Sequence, residues 1–237
     1  MTVQVVILAA GLGTRLARPH PKPLTYLGDG RTILQQQVQN LRIAFGGRLR
    51  LTIVVGYKLD LIMEHVPDVA FVYNESYDQT NTSKSLLKAL KNTTKGGVLW
   101  LNGDVVFDPQ LLDLMKPFIA AGQSVVAVND SRVADEEIKY TTDARGNIDK
   151  LSKTVSVDVA EGEAVGINYV SKKNKKKLIK RLERVSEHDY FERAMENTIM
   201  LDNVTYFPVD TSRYLAIEID SPDDLVRANN ALRKHPY

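Results

Sequence analysis

The chain lacks cysteine, a strong excess of either charge and any long apolar run. Without cysteine in its 237 residues it has no disulfide, no thiolate nucleophile and no cysteine metal site. Its net charge of +2, from 31 basic and 29 acidic residues, creates no broad field for a polyanion, so no nucleic acid partner is expected. No segment approaches the roughly 18 apolar residues needed to cross a bilayer. We therefore expect a cytoplasmic protein without a membrane span.

The first 130 residues alternate short apolar runs with helical patterns. The runs VQVVILAA at 3–10 and GVLWLNGD at 97–104 are typical of buried strands, and TILQQQVQNLRIAF at 32–45 is typical of an amphipathic helix. Near-continuous apolar strands separated by helices favour a parallel sheet that is covered on both faces. We therefore predict an α/β fold with a Rossmann-like, mostly parallel mixed sheet flanked by helices. Ligands of such sheets bind beyond the carboxyl ends of the strands.

The second part of the chain, residues 131–237, has a different pattern. EEIKYTTDARGNIDKLSKTV at 136–155 predicts two strands joined by a turn. Further strands and helices follow, and the last helix is expected to begin with Ser221 as N-cap before Pro222. No linker or repeat separates the two parts. We therefore predict a single domain over 1–237, with a small β-rich subregion in its second part.

A glycine-containing loop follows the first strand, in the segment LAAGLGTRLARPHPKPL at 8–24. Small residues let backbone N–H groups approach an anion, and Arg15 and Lys22 add positive charge, which favours a phosphate ligand. The P-loop pattern is absent, because Gly13 is followed by Thr14 and Arg15. The dinucleotide pattern fails at Leu16, where a third glycine would be needed for close helix packing.

This segment resembles the signature of the nucleotidyltransferases that activate sugar phosphates and phospho-alcohols. The resemblance implies a GT-A-like nucleotidyltransferase fold in which 1–130 bind the nucleotide and 131–237 bind the acceptor and complete the sheet. It also implies that the loop binds the nucleotide and that two cations neutralise its phosphates. On this basis the nucleotide-binding residues are Leu8, Ala9, Ala10, Gly11, Gly13 and Thr14, and the catalytic cations are Arg15 and Lys22.

Two carboxylates follow apolar strands at positions suited to a metal ion. Asp104 ends the run LWLNGD and Asp220 ends the run AIEID, so both are expected at the carboxyl edge of the sheet. A triphosphate carries Mg²⁺, which takes one or two protein carboxylates and keeps several waters. The resemblance assigns the same two positions to the catalytic metal. We therefore predict an Mg²⁺ cofactor held by Asp104 and Asp220.

Three segments narrow the resemblance to the small bacterial cytidylyltransferases of the choline-phosphate type. They are VYNESYDQTNTSKSLLKAL at 72–90, LWLNGD at 99–104 and EIDSPDDL at 218–225. The resemblance implies that Ser83 and Ser85 contact the pyrimidine, with Asn81 in support. Residues of these types are also favoured at helix N-termini, so helix capping is the alternative interpretation.

The acceptor-binding residues are harder to identify from the sequence. Lys139 stands where the choline-phosphate enzymes are expected to have an aromatic ring for a quaternary ammonium, which predicts that phosphocholine is a poor acceptor and that a polar or acidic tail is preferred. The resemblance further implies that Lys153 binds the acceptor phosphate and that Glu163 and Glu192 meet an amine or hydroxyl. Solvated surface charge is the alternative interpretation for each of these side chains.

The sequence as a whole predicts a Mg²⁺-dependent cytidylyltransferase that transfers CMP from CTP to a small phosphorylated alcohol and releases pyrophosphate. A sugar-1-phosphate nucleotidylyltransferase that uses UTP or dTTP is the alternative within the same class. A non-catalytic, nucleotide-binding regulatory module is the alternative of a different class. The expected partners are CTP and the phosphorylated acceptor, bound to a monomer or homodimer, and the sequence leaves the acceptor's identity open.

Overall fold

The computed structural model describes residues 2–13, 20–131 and 133–234. Within these ranges the strands are β1 Val3–Ala9, β2 Leu49–Val55, β3 Ala70–Tyr73, β4 Val98–Asn102, β5 Val105–Phe107, β6 Ser124–Asn129, β7 Lys139–Thr142, β8 Ile148–Ser152, β9 Gly162–Val170, β10 Tyr206–Asp210 and β11 Ala216–Glu218. The helices are α1 Ile33–Phe45, α2 Leu59–His65, α3 Thr82–Asn92, α4 Leu111–Ala121, α5 Lys172–Arg184, α6 Phe191–Asp202 and α7 Pro222–Lys234. None of the helices so described combines the length and the apolar character that a membrane crossing requires.

A nine-stranded sheet forms the centre of the described fold. Its order is β10-β6-β9-β4-β1-β2-β3, and the hairpin of β7 and β8 is attached beside β9. Strand β1 is parallel to β2 and β4, β2 is parallel to β3, and β6 is parallel to β10, whereas β9 runs antiparallel between β4 and β6. The predicted mostly parallel mixed sheet flanked by helices is therefore confirmed. A short β5–β11 ribbon lies apart from it.

The sheet is buried on both faces because apolar side chains of its strands point alternately to each side. Val5 and Ile7 of β1 pack in one core with α1, α2 and α4, whereas Val6 and Leu8 pack in a second core with α3, α5 and α6. A strand that is covered on both faces needs mainly apolar residues, which accounts for the apolar run at 5–10.

Three buried amide side chains of α1 bind backbone carbonyls at the end of β4 and at both ends of β5. Gln37 Nε2 donates to the carbonyls of Asn102 and Val105, each at 2.8 Å. Gln36 Nε2 and Asn40 Nδ2 donate to the carbonyl of Phe107 at 2.7 and 2.6 Å. Buried carbonyls without partners are costly, so these bonds stabilise the sharp turn of the chain from which Asp104 projects.

Candidate active site

A cavity of about 400 Å³ opens where β1 and β4 end. Because these strands are parallel neighbours, the loops that follow them lie at the same edge of the sheet. The predicted site residues that line the cavity are Leu8, Ala9, Gly11, Gly13, Lys22, Asn81, Asp104, Lys153, Glu192 and Asp220. The predicted residues Ala10, Ser83, Ser85, Lys139 and Glu163 are not part of its lining, and Thr14 and Arg15 lie outside the described residues.

Two glycines allow close approach of backbone segments at the cavity wall. Gly13 has φ of +61°, and a Cβ placed there would lie 2.9 Å from the Cβ of Lys22. The N–H of Gly103 donates to the carbonyl of Leu8 at 2.9 Å, and a Cβ at Gly103 would lie 2.6 Å from the same oxygen. Side chains at these positions would separate the glycine loop from Lys22 and the end of β1 from the loop that carries Asp104.

Lys22 forms ion pairs with both predicted metal ligands. Its Nζ lies 2.6 Å from Asp104 Oδ2 and 2.5 Å from Asp220 Oδ1. The three side chains are largely buried, with 12%, 22% and 28% of their surfaces exposed. Burial acts to lower the pKa of Lys22, but the attraction of Asp104 and the hydrogen bonds to both carboxylates outweigh it, so the pKa is raised. The sequence therefore brings together residues from three distant segments.

The backbone around Asp220 is fixed by the start of α7. Asp224 Oδ2 accepts hydrogen bonds from the N–H groups of Asp220 and Ser221 at 3.0 and 2.8 Å. The Ser221 hydroxyl in turn accepts from the N–H of Asp224 at 3.2 Å, so the predicted N-cap is confirmed. On the other side, Glu218 in β11 pairs with Val105 in β5 and holds this segment against the residue after Asp104.

Asp104 and Asp220 fit a divalent cation by their chemistry and by an unused acceptor. Asp104 Oδ1 is buried, and no donor of the described residues reaches it. Over those residues no cluster of three or more acidic or histidine side chains is spaced to hold a metal, so the pair matches an ion that keeps water or phosphate ligands. Acidic side chains also outnumber basic ones in the described cavity lining, which contains Asp78, Asp104, Glu136, Glu137, Glu192, Glu218 and Asp220 against Lys22 and Lys153. A triphosphate needs added positive charge to bind there.

The start of α3 forms another part of the cavity wall. Asn81 is its N-cap, with the side-chain oxygen accepting from the N–H of Thr82 at 2.8 Å. Ser83 and Ser85 are buried on the inner face of α3, and the Ser85 hydroxyl accepts from Asn74 Nδ2 at 3.0 Å. Both serines therefore face the protein core, and the pyrimidine contact inferred for them has no support in the cavity geometry. The polar side chains that do line this region with Asn81 are Tyr77, Asp78, Thr80 and Thr82.

The start of α6 places a buried carboxyl group in the cavity wall. Glu192 is 6% exposed, and its Oε2 has no hydrogen-bond partner among the described residues. Burial raises the pKa of Glu192 to about 7, although hydrogen bonding to its own backbone and the charge of Lys153 act in the opposite direction. Lys153 lies beside it in the lining, with Nζ 5.1 Å from the centre of the Tyr190 ring. Phe191 anchors α6 by packing edge-on against Trp100, with 5.6 Å between the ring centres.

Lys139 and Glu163 lie on paired strands and are not part of the cavity lining, although their neighbours Ile138 and Ala164 are. They are opposite each other in the register of β7 and β9, and their side chains are 1% and 6% exposed. Lys139 Nζ donates to the carbonyls of Asp135 and Glu137 at 2.7 and 3.2 Å. The ammonium therefore binds the loop before β7, and the predicted repulsion between Lys139 and a cationic acceptor gains no support from the cavity lining.

Sequence reasoning missed Glu218, which lines the cavity beside the two aspartates. Its Oε1 accepts from Asn102 Nδ2 at 3.2 Å. Burial and then the charge of Asp104 raise the pKa of Glu218 well above its usual value. The signal lay in the run AIEID, where Glu218 ends β11 and precedes Asp220 by two positions.

Comparisons with known proteins agree with this architecture. The sequence model of the MobA-like NTP transferase domain matches residues 5–188. A CMP-5'-(3-aminopropyl)phosphonate synthase from Streptomyces rubellomurinus is 34% identical over 139 residues, which are 55% of this chain and 21% of that protein. The UTP–glucose-1-phosphate uridylyltransferase AglF from Haloferax volcanii is 34% identical over 122 residues, or 48% of each chain. The chain thus matches about a fifth and about half of the length of these two relatives.

Solved structures show the same fold over nearly the whole chain. A CTP:phosphocholine cytidylyltransferase from Streptococcus pneumoniae has a TM-score of 0.72 at 18% identity and covers 98% of this chain and 100% of its own. The inositol-1-phosphate CTP transferase from T. maritima has a TM-score of 0.77 at 18% identity and covers 99% of this chain and 97% of its own. The predicted relationship to nucleotidyltransferases is confirmed, and the chain belongs to the MobA-like NTP transferase family.

Proposed function

We propose that this nucleotidyltransferase uses a divalent cation, with Mg²⁺ the expected one, to transfer CMP from CTP to a small phosphorylated alcohol, releasing pyrophosphate. The observation that carries the proposal is one cavity lined by the glycine loop, by Lys22 with Asp104 and Asp220, and by Lys153 with Glu192. CTP or CMP in the names of three of the compared proteins supports cytidine, whereas UTP in the name of the Haloferax relative supports the alternative with UTP or dTTP.

The proposed reaction needs no general base. A phosphate monoester has a second pKa of about 6, so an oxygen of the acceptor is already ionised at neutral pH. That oxygen forms a bond to the α-phosphorus of CTP while the bond from this phosphorus to the oxygen bridging to the β-phosphate breaks, and pyrophosphate leaves with the electron pair. The work left to the protein is to align two anions and neutralise their charge.

Different residues of the cavity would bind the divalent cation, the nucleotide phosphates and the acceptor phosphate. Asp104 and Asp220 would hold the divalent cation, which when bound supplies positive charge to the reacting phosphates. Lys22 is placed to move from these carboxylates to a phosphate oxygen, because its ammonium already lies in the cavity wall. Lys153 supplies a second cation for the acceptor phosphate. The backbone of Gly11 and Gly13 lines the wall where an anion can approach closely.

The wall near α6 favours an acceptor with a positively charged group. Glu192 has an unpaired buried oxygen, and Tyr190, Glu136 and Glu137 line the same cavity. A buried carboxylate without a partner is costly, and an ammonium group of the acceptor would satisfy it. The Streptomyces relative, whose name contains an aminopropyl group, agrees with this preference. The proposal therefore reverses the expectation of an acidic tail that rested on Lys139.

The test is pyrophosphate release measured with CTP, UTP, dTTP and GTP against phosphoethanolamine, phosphocholine, glycerol phosphate and glucose 1-phosphate. We expect turnover with CTP and a preference for the two amine-bearing acceptors. A preference for UTP or dTTP with glucose 1-phosphate would replace the proposal by the sugar-nucleotide alternative. Nucleotide binding without pyrophosphate release, at a level equal to that of Asp104→Asn, would point to a non-catalytic module.

A variant separates the acceptor assignment from the overall reaction. Glu192→Gln keeps the shape of the side chain and removes its charge, so it should lower kcat/KM for phosphoethanolamine by about tenfold and leave glycerol phosphate nearly unaffected. Glu187→Gln, an exposed carboxyl on the loop before α6, is the matched control. An equal loss for both acceptors would show that Glu192 supports the fold of the site and does not select a cation.

A further inference from the structure

We propose that Lys22 competes with the divalent cation for the Asp104–Asp220 pair, so that tight metal binding requires Lys22 to move to another anion. The ammonium donates to one oxygen of each carboxylate, at 2.6 Å to Asp104 and 2.5 Å to Asp220. A divalent cation held by both carboxylates would either displace the ammonium from these oxygens or lie beside it. In the free protein Lys22 therefore supplies the positive charge between the two carboxylates.

The stem of Lys22 is held while its ammonium is free to change partners. A short 3-10 turn at Lys22–Leu24 is closed by the N–H of Thr25, which donates to the Lys22 carbonyl at 3.0 Å. Gly13 packs against the Cβ of Lys22, and the adjacent Pro23 and Leu24 are buried. Rotation about the side-chain bonds can move the head group along the cavity without disturbing this turn.

Charge repulsion makes it unfavourable for the Lys22 ammonium and a divalent cation to occupy the Asp104–Asp220 pair at the same time. An ammonium at hydrogen-bond distance from both carboxylates would lie within a few ångströms of a bridging divalent cation, and like charges repel strongly in a largely buried site. An incoming polyanion offers Lys22 a new partner and so releases the pair. Metal and polyanion should then strengthen each other's binding, by the reciprocity that holds for any two coupled ligands. Identifying this polyanion as CTP rests on the proposed function, whereas the competition itself does not.

The experiment is a titration of the nucleotide-free protein with Mn²⁺, with free Mn²⁺ measured by electron paramagnetic resonance. Lys22→Met and Lys22→Gln remove the ammonium, and each should bind Mn²⁺ at least about tenfold more tightly than the wild type. Lys22→Arg keeps the charge and should bind as weakly as the wild type. Adding Asp104→Asn to Lys22→Met should abolish the increase in Mn²⁺ affinity. This result would locate the ion at the Asp104–Asp220 pair. Circular dichroism and melting curves establish that each variant is folded.

A matched control distinguishes direct competition between Lys22 and the metal from a general change in the electrostatic potential of the cavity. Lys153→Met removes a cation from the same cavity lining, but Lys153 does not belong to the Lys22–Asp104–Asp220 group. Its effect on Mn²⁺ affinity should be less than about threefold, since its ammonium lies over the Tyr190 ring and forms no ion pair with either aspartate among the described residues. Equal affinities for wild type and both neutral Lys22 variants would overturn the proposal, as would an equal gain from Lys153→Met. Because no nucleotide or acceptor is present, either result leaves the proposed reaction to be judged by pyrophosphate release.

Discussion

The backbone N–H of Ile219 donates to the carbonyl oxygen of Asp104, with 3.0 Å between nitrogen and oxygen. This bond continues the pairing of β5 with β11 and joins segments that are far apart in sequence. Because Asp220 follows Ile219 directly, its carboxylate is brought next to that of Asp104. The geometry of the pair is therefore fixed by main-chain bonds, and side-chain substitutions at either aspartate should leave the fold in place.

Asp104→Asn and Asp220→Asn should each reduce turnover about a hundredfold or more while the protein stays folded. Either change removes one of two carboxylates from the proposed metal site and so several kcal/mol of transition-state stabilisation. The measurement is kcat for pyrophosphate release at saturating Mg²⁺. Asp223→Asn, an exposed residue of α7, is the control that should behave as wild type. Near-normal rates in either site variant would remove that aspartate from the metal site.

Lys22→Ala should lower kcat more than it raises KM for the nucleotide. A cation that meets charge as it develops on the leaving pyrophosphate stabilises the transition state more than the bound substrate. Steady-state kinetics with a varied CTP concentration measure both constants. A change confined to KM would mean that Lys22 binds substrate and transition state equally well.

Much of the fold was predictable because its signals are local. The strand runs, the Ser221 cap and the placement of Asp104 and Asp220 after strands each follow from a few adjacent residues. A strand buried on both faces shows an apolar run, and a helix cap shows its own residue types, whatever the rest of the chain does. The position of the cavity followed from the order of strands and helices.

The errors and omissions concern residues whose partners lie far away in sequence. Lys139 and Ser83 have residue types that suit a ligand, but their orientation depends on strand register and on the buried face of α3. The amide groups of Gln37 bind carbonyls at 102 and 105, which no pattern within α1 indicates. Glu218 was recognisable only once Asp220 had been placed, since it ends β11 and precedes Asp220 by two positions.

Gln37→Leu should destabilise the protein by about 2 kcal/mol, because it leaves two buried carbonyls without a donor. It should also lower kcat, since these carbonyls belong to Asn102 and Val105, on either side of the loop that carries Asp104. The control is Gln39→Leu on the exposed face of the same helix, which should change stability by less than about 0.5 kcal/mol. Denaturant unfolding and steady-state rates measure the two effects. Equal stabilities for both variants would mean that the amide contacts do not hold this corner.

The stability of the protein should depend on pH through Glu192. Burial first, against the weaker effects of its own backbone and Lys153, raises the pKa of this carboxyl from 4.5 to about 7 in the folded state. The folded protein therefore binds the proton more tightly than the unfolded chain, so the contribution to stability is fully present below pH 4.5 and is lost as pH rises towards 7. Such a shift corresponds to a loss of roughly 3 kcal/mol of folding stability above pH 7.

The variant Glu192→Gln cannot ionise and avoids this loss. The Tm of the variant minus that of the wild type should therefore increase by several degrees between pH 5 and pH 8. Glu187→Gln should show no comparable trend. A difference for Glu192→Gln that stays constant or decreases over this range would show that the buried carboxyl titrates at its ordinary pKa, and the case for an ammonium partner at this wall would lose its energetic basis.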